Sequence, residues 1–190
     1  MTKPRIARLL TDLVDPKNVI TALCLLIGAH YGWDGVGWGA LAILFCAIIP
    51  IVFIIATGKE KTWADRHVPE RAQRMIAIPA IVLSVLSCLV LMVVGGAPAP
   101  LLSMVGAMLA TITAIWPVTR FWKISVHTAV LTGALAMLAL LYGPWVLLTI
   151  ALIPMVAWSR ALLKDHTPAQ TIAGAVLGAL VAAPVFSLGL

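Results

Sequence analysis

Residues 75–119 read MIAIPAIVLSVLSCLVLMVVGGAPAPLLSMVGAMLATITAIWPVT, without one charged side chain. This stretch holds two apolar runs, each close to the roughly 20 residues that cross a hydrocarbon layer as helix, with a Gly/Pro turn at 95–100 between them. The whole chain is 62% hydrophobic and 11% charged, which leaves too few polar side chains to cover a soluble globule. The sequence therefore predicts an all-α, polytopic transmembrane helical bundle, with a single integral membrane domain over residues 1–190.

Further apolar runs extend this pattern in both directions along the chain. The predicted spans lie at about 18–31, 37–57, 75–95, 101–119, 126–142, 144–158 and 169–189. The first run is short, so six and seven spans are both compatible with the sequence. The bundle itself is predicted to occupy residues 17–190.

Residues 1–16 have a different character. Apolar side chains recur there at helical spacing and basic side chains lie on other faces, which predicts an interfacial amphipathic helix ended by Asp15-Pro16. A signal peptide is the alternative reading of a basic start before an apolar run. The Asp/Pro break and the lack of a clear small-x-small cleavage site favour the interfacial helix.

The basic residues are confined to four segments, 3–17, 59–74, 120–123 and 160–164. Two predicted spans separate each of the last three from the next, so all three emerge on one side, together with the N-terminus. Among charged residues, the opposite side carries only Asp34. The excess of Lys and Arg predicts that the basic side faces the cytoplasm, with the protein in the cell (inner) membrane. A net charge of +6 placed beside spans fits anionic lipid headgroups and not nucleic acid.

The last basic segment contains residues suited to phosphate chemistry. His166 and Gln170 are spaced i to i+4, so the amide can reach the imidazole and select its tautomer. Arg160 offers a planar fork of donors that suits phosphate oxygens. The alternative is a snorkelling Arg and an interfacial His at the end of a span.

Two earlier segments add a hydroxyl, a second imidazole and further cations. Ser125 and His127 stand just before a span, where a hydroxyl can donate to an anion and a His can protonate a leaving oxygen. Lys59 and Arg66 lie six intervening residues apart in a basic loop. Taken singly, the first pair reads equally as a helix cap with an interfacial ring, and the second as a positive-inside loop.

Together and in this order, the three segments resemble the type 2 phosphatidic acid phosphatase superfamily. Its signature is Lys-x6-Arg-Pro, then Pro-Ser-Gly-His, then Ser-Arg-x5-His-x3-Asp. In this chain the three motifs read Lys59-x6-Arg66-His67, Ile124-Ser125-Val126-His127 and Ser159-Arg160-x5-His166-x3-Gln170. The spacing inside each motif is intact over residues 59–170. The departures are His67 for Pro, Ile124 and Val126 for Pro and Gly, and Gln170 for the Asp that orients the nucleophile.

The resemblance implies an enzyme and assigns the roles of its residues. His166 would form a phosphohistidine intermediate, His127 would protonate the leaving alkoxide, and Gln170 would orient His166. The phosphate oxygens would be held by Lys59, Arg66, Ser125, the Val126 amide, Ser159 and Arg160. The expected reaction is metal-independent and needs no cofactor. The expected partners are a lipid phosphate substrate and membrane lipids.

The predicted function is hydrolysis of a phosphomonoester or diphosphate of a phospholipid or polyprenyl lipid, with the tail left in the bilayer. The alternative is a non-catalytic lipid-phosphate binder, because an amide at position 170 cannot supply the charge of a carboxylate. A small transporter is a third possibility, which would need polar residues in mid-span. The predicted spans hold few of these: Ser84, Ser87, Ser103, Thr111 and Thr113.

Overall fold

The structure is a computed structural model that describes residues 2–57 and 71–190. Over these residues it consists of helices and turns, without a β-strand. The helices are α1 Lys3–Leu13, α2 Pro16–His30, α3 Gly32–Ile43, α4 Ile49–Thr57, α5 Arg71–Val94, α6 Ala99–Phe121, α7 Val126–Tyr142, α8 Leu152–Leu162 and α9 Pro168–Ser187. A π-helical turn, Leu44–Ile48, joins α3 to α4, and a 3-10 segment, Pro144–Ala151, leads into α8. The all-α prediction is confirmed.

Several of these helices have the length and composition of membrane spans. Within the described chain, five segments are long and apolar enough to cross a bilayer: Gly32–Thr57, Met75–Val94, Ala99–Phe121, Pro144–Leu162 and Pro168–Ser187. Helix α7 is also apolar but has 17 residues, and α2 has 15. Large apolar side chains such as Leu83 and Leu180 are exposed on the outside of the bundle, as expected of a surface in contact with lipid tails. The chain is an integral membrane protein.

Helix α1 packs on α8 through its small face. Ala7 and Thr11 are its buried residues, whereas Ile6, Leu9 and Leu13 point outward and are exposed. The apolar stripe read from the sequence therefore faces away from the protein. Placement of this stripe in the lipid interface remains a prediction.

The π-helical turn between α3 and α4 lies directly before Pro50. The N–H of Ile49 donates to the Leu44 carbonyl, five residues back, and Pro50 has no N–H to donate to this turn. The Phe45 carbonyl is thereby deprived of a donor from its own helix. The Ser84 hydroxyl of α5 donates to it at 2.6 Å, because a bare carbonyl inside a membrane protein is costly. Ser84 thus joins α5 to the turn.

Helices α7 and α9 form a close pair because small residues line their contact. A Cβ added to Gly174 would collide with the Ser125 carbonyl oxygen, and one added to Gly178 would collide with that of Ala129. The hydroxyls of Thr128 and Thr132 donate across the gap to carbonyls of α9, both at 2.8 Å. Close approach of backbones and such hydroxyl bonds are the usual means by which helices associate in lipid. The pairing sets the beginnings of α7 and α9 side by side.

The other end of the bundle is closed by aromatic contacts and tight turns. The Tyr142 hydroxyl donates to the Leu26 carbonyl at 2.7 Å, and its ring meets His30 edge to face. Glycines with positive φ at 32, 96 and 143 form the turns between neighbouring helices. Asp34 lies at this end of the bundle, whereas the basic residues described below lie at the other end.

Candidate active site

The turn after α8 brings His166 back toward Arg160, although five residues separate them in the sequence. The Arg160 carbonyl accepts the N–H groups of both Asp165, at 3.1 Å, and His166, at 3.3 Å. Lys164 occupies the left-handed position of this turn, with φ 60°, and its N–H donates to the Ala161 carbonyl. The bonds from Asp165 to Arg160 and from Lys164 to Ala161 form the Schellman motif that ends many helices, here with Lys in place of the usual Gly. His166 is thereby folded back toward Arg160.

The hydrogen bonds of His166 determine its tautomer. Its Nδ1 atom lies 3.3 Å from the Lys123 carbonyl oxygen and 3.3 Å from Gln170 Oε1. Both partners accept hydrogen bonds and neither can donate, so Nδ1 carries the proton. The Nε2 atom, which is buried, then holds the lone pair. This is the tautomer that a nucleophilic or basic imidazole requires at Nε2.

Gln170 has a second role that the sequence analysis missed. Its Oε1 accepts the Thr167 N–H at 3.0 Å, while the Thr167 hydroxyl accepts the Gln170 N–H at 3.3 Å. These reciprocal bonds form a capping box at the start of α9. Thr-x-x-Gln before an apolar run was the available signal. The capping box also fixes the amide orientation, because only the oxygen can face the Thr167 N–H.

The second motif forms the start of α7. Ser125 is its N-cap, and the Ser125 side chain accepts the Thr128 N–H. The Ser125 N–H donates to the Gln170 carbonyl at 3.1 Å, which ties the second motif to the third. Val126 and His127 follow in the first turn, and the N-terminus of a helix favours an anion through its macrodipole. Ser125 therefore has a capping role in the structure, and its contact with phosphate remains a prediction.

The Ser159 side chain is hydrogen-bonded to the N-terminal helix α1. Its side chain is fully buried, and its Oγ lies 2.6 Å from the Thr11 Oγ. This hydrogen bond secures α1 to the last turn of α8, directly before Arg160. Ser159 therefore has a structural role at this position, and its contact with phosphate remains a prediction.

Arg160 is a buried cation held between carboxylates. It is only 3% exposed, and its guanidinium lies 3.2 Å from the Asp165 carboxylate. Asp15, at the start of α2, also interacts with it electrostatically. Its Nε has no hydrogen-bond partner among the described residues. A buried guanidinium with a donor to spare suits a phosphate oxygen.

A cavity of about 580 Å³ opens between the helices at this end of the bundle. Its charged and imidazole-bearing end, here called the mouth, is lined by Asp15, Lys17, Lys123, His127, Arg160 and Asp165. The remaining wall is almost entirely apolar. Of the described residues predicted for the site, Val126, His127 and Arg160 line the cavity. Ser125, Ser159, His166 and Gln170 do not, although the first three are chain neighbours of wall residues.

Sequence reasoning did not assign Lys17 or Lys123 to the site. Both looked like flanking charges of membrane spans, and only the packing of α2 against α7 brings them to one mouth. Lys59 and Arg66, the cations of the first motif, lie outside the described residues. Among the described residues, no three His, Cys, Asp or Glu side chains are grouped as ligands of a metal ion.

Comparison of the chain with protein-family models, curated proteins and solved structures gives no match. The resemblance to the phosphatase superfamily therefore depends on the three sequence motifs alone.

Proposed function

We propose that the protein is a membrane lipid phosphate phosphatase that hydrolyses a phosphomonoester or diphosphate of a phospholipid or polyprenyl lipid. The observation that supports this most is the position of His166, whose Nδ1–H is held by the Lys123 carbonyl and Gln170 Oε1 at 3.3 Å each. That pairing directs the lone pair to Nε2, as nucleophilic catalysis at phosphorus needs. Arg160 and His127 line the adjacent cavity mouth.

The proposed reaction has two steps. His166 Nε2 attacks phosphorus, the bond between phosphorus and the lipid oxygen breaks, and His127 protonates the leaving oxygen. Water then cleaves the phosphohistidine and releases inorganic phosphate. Arg160, Lys123 and the first turn of α7 stabilise the charge on the non-bridging oxygens. The first-motif residues Lys59 and Arg66 take the same role in the proposal by resemblance.

A second candidate is a lipid-phosphate binder without turnover. Two observations favour it: Gln170 is a neutral cap residue, and His166 does not belong to the cavity wall. A binder would keep the cationic mouth and dispense with the nucleophile. Phosphate release from a panel of lipid phosphates in detergent, without added metal, distinguishes the two. Release supports the enzyme, and tight binding without release supports the binder.

We further propose seven spans, with the mouth at the cytoplasmic face of the cell membrane. Lys17, Lys123 and Arg160 line the same end of the cavity, which supports a crossing by both α2 and α7. The Lys/Arg bias then orients that end toward the cytoplasm. Helix α1 would lie in the interface on the same side, with Ile6, Leu9 and Leu13 in lipid.

This orientation predicts how single cysteines label in intact cells. In a variant with Cys24, Cys46 and Cys88 replaced by Ala, a cysteine at exposed Asp34 should react with an impermeant thiol reagent. A cysteine at exposed Lys164 should stay unlabelled until the membrane is permeabilised. The cysteine-free parent is the background control. Labelling of position 164 alone in intact cells would reverse the orientation and place the site outside.

A further inference from the structure

The cavity runs inward from its charged mouth along several helices, and its wall becomes apolar with depth. Its wall runs from Lys17 to Leu23 on α2, from Ile54 back to Cys46 on α4 and the π-helical turn, and from Val126 to Met137 on α7. At 1.5 Å per residue, these stretches extend about 9 to 16 Å into the bundle. Helices α5 and α6 follow the same order, from Ala77 to Val85 and from Ile115 back to Met108. The cavity is thus a deep channel with a charged mouth and an apolar interior.

Among the described residues, the interior offers very little to a polar occupant. Thr111 is the polar side chain of the deep wall, and its hydroxyl already donates to the Ala107 carbonyl at 2.7 Å. A buried water needs two to four polar partners, and an ion needs more. Hydrocarbon needs none and gains from burial. The chemistry of the wall therefore points to an alkyl or prenyl chain.

The deeper lining residues on these helices belong to the packed core of the bundle. We call this group the floor, and it consists of Leu23, Cys46, Val85, Ala134 and Met137, all buried in the main core of the bundle. Cys46 lies in the π-helical turn that precedes Pro50. A floor of packed side chains would limit the length of any chain that enters from the mouth.

We propose that this cavity holds a hydrocarbon chain of the lipid phosphate inside the bundle, and that the floor sets the longest chain accepted. The headgroup part of this inference rests on the proposed function, since the phosphate would sit at the mouth beside Arg160. The tail part rests on the cavity alone. It replaces the expectation that the tail stays in the bilayer during the reaction.

The test uses single-chain alkyl phosphonates of increasing length, which cannot be hydrolysed, together with the matching alkyl phosphates. Binding of the phosphonates and release of phosphate are measured in one detergent, so that its contribution cancels between variants. Met137→Ala removes side-chain volume from the floor, which deepens the cavity and should extend the longest accepted chain by about two carbons. Ala134→Leu adds volume there, which makes the cavity shallower and should shorten the longest accepted chain by a similar amount. Val85→Ala provides a second enlarging variant if Ala134→Leu does not fold.

Matched controls on the lipid-facing surface are Met155→Ala and Ala151→Leu, since both residues are exposed. They should leave the chain-length limit as in the wild type. If the floor variants shift the limit for binding but no substrate is hydrolysed, the tail site stands and the phosphatase proposal fails. If wild type and folded floor variants release phosphate with the same chain-length dependence, the phosphatase stands and this inference is overturned.

Discussion

His166→Ala protein is expected to release no measurable phosphate from any lipid phosphate that the wild type hydrolyses. The reason is that Nε2 of this ring is the attacking atom in the proposed reaction. Removal of the nucleophile in other covalent enzymes lowers kcat by roughly 10⁶, so a fall of at least about a thousandfold should be seen. Lipid-phosphonate binding should change much less, because the charges that would hold the phosphonate at the mouth are those of Arg160 and Lys123.

Two controls make this result specific. Vanadate, which adopts the five-coordinate shape of a transferring phosphoryl group, should inhibit the wild type without added metal. His166→Asn, which retains a polar side chain, should be as inactive as His166→Ala while unfolding at a similar temperature. Full activity in either variant would remove His166 from the mechanism, as would a strict requirement for a divalent ion.

His127→Ala should slow hydrolysis only of substrates whose leaving oxygen needs a proton. The residue lines the mouth in the first turn of α7 and is proposed to protonate the leaving oxygen. With alkyl leaving groups, kcat should fall by about 10² to 10⁴, the usual range for a general acid. With a substrate whose leaving group needs no proton, such as a nitrophenyl phosphate, it should change little. Equal losses for both substrates would show that His127 has another role.

Gln170→Glu is expected to raise kcat by about tenfold. Glu retains the acceptor that completes the capping box, and it places a negative charge against the imidazolium that forms as His166 attacks. A hydrogen bond to a charged group is stronger than a neutral one by about 1.4 kcal/mol, which corresponds to roughly tenfold in rate. The gain should appear in kcat and not in KM, because the charge on the ring develops in the transition state.

Gln170→Leu should act in the opposite direction on both activity and stability. The His166 ring would keep only the Lys123 carbonyl as partner of Nδ1, and kcat should fall about tenfold or more. Loss of the capping bond from the Thr167 N–H should also cost about 1 kcal/mol of stability. Kinetics and thermal unfolding in the same detergent give both quantities.

Thr167→Ala distinguishes the two roles of Gln170. It removes the hydroxyl that accepts the Gln170 N–H but leaves the contact between Oε1 and His166. Stability should fall as in Gln170→Leu, whereas kcat should stay near the wild-type value. If Gln170→Leu keeps full turnover, Gln170 serves only as a helix cap. If the wild type is inert and Gln170→Glu or Gln170→Asp releases phosphate, the protein is a lipid-phosphate binder one substitution away from an enzyme.

Much of the local structure could be predicted from the sequence. The helices begin and end close to the predicted spans, because long apolar runs and Gly/Pro turns are local signals that lipid makes decisive. The His166–Gln170 contact was likewise expected from i to i+4 spacing, and the structure shows it at 3.3 Å. The sequence left the count at six or seven spans because the first apolar run is short, and the helix that it forms, α2, has 15 residues.

By itself, the sequence determined that the chain is an all-helical membrane protein and which residues could handle phosphate. Only the tertiary structure decided which of those residues meet. The contact of His166 with the Lys123 carbonyl and the bond of Ser159 with Thr11 depend on which helix faces pair. In lipid that choice follows from small residues such as Gly174 and Gly178 and from single hydroxyls, because lipid tails are as apolar as the helix surfaces and do not drive helices together. The cavity and its floor arise from the same packing.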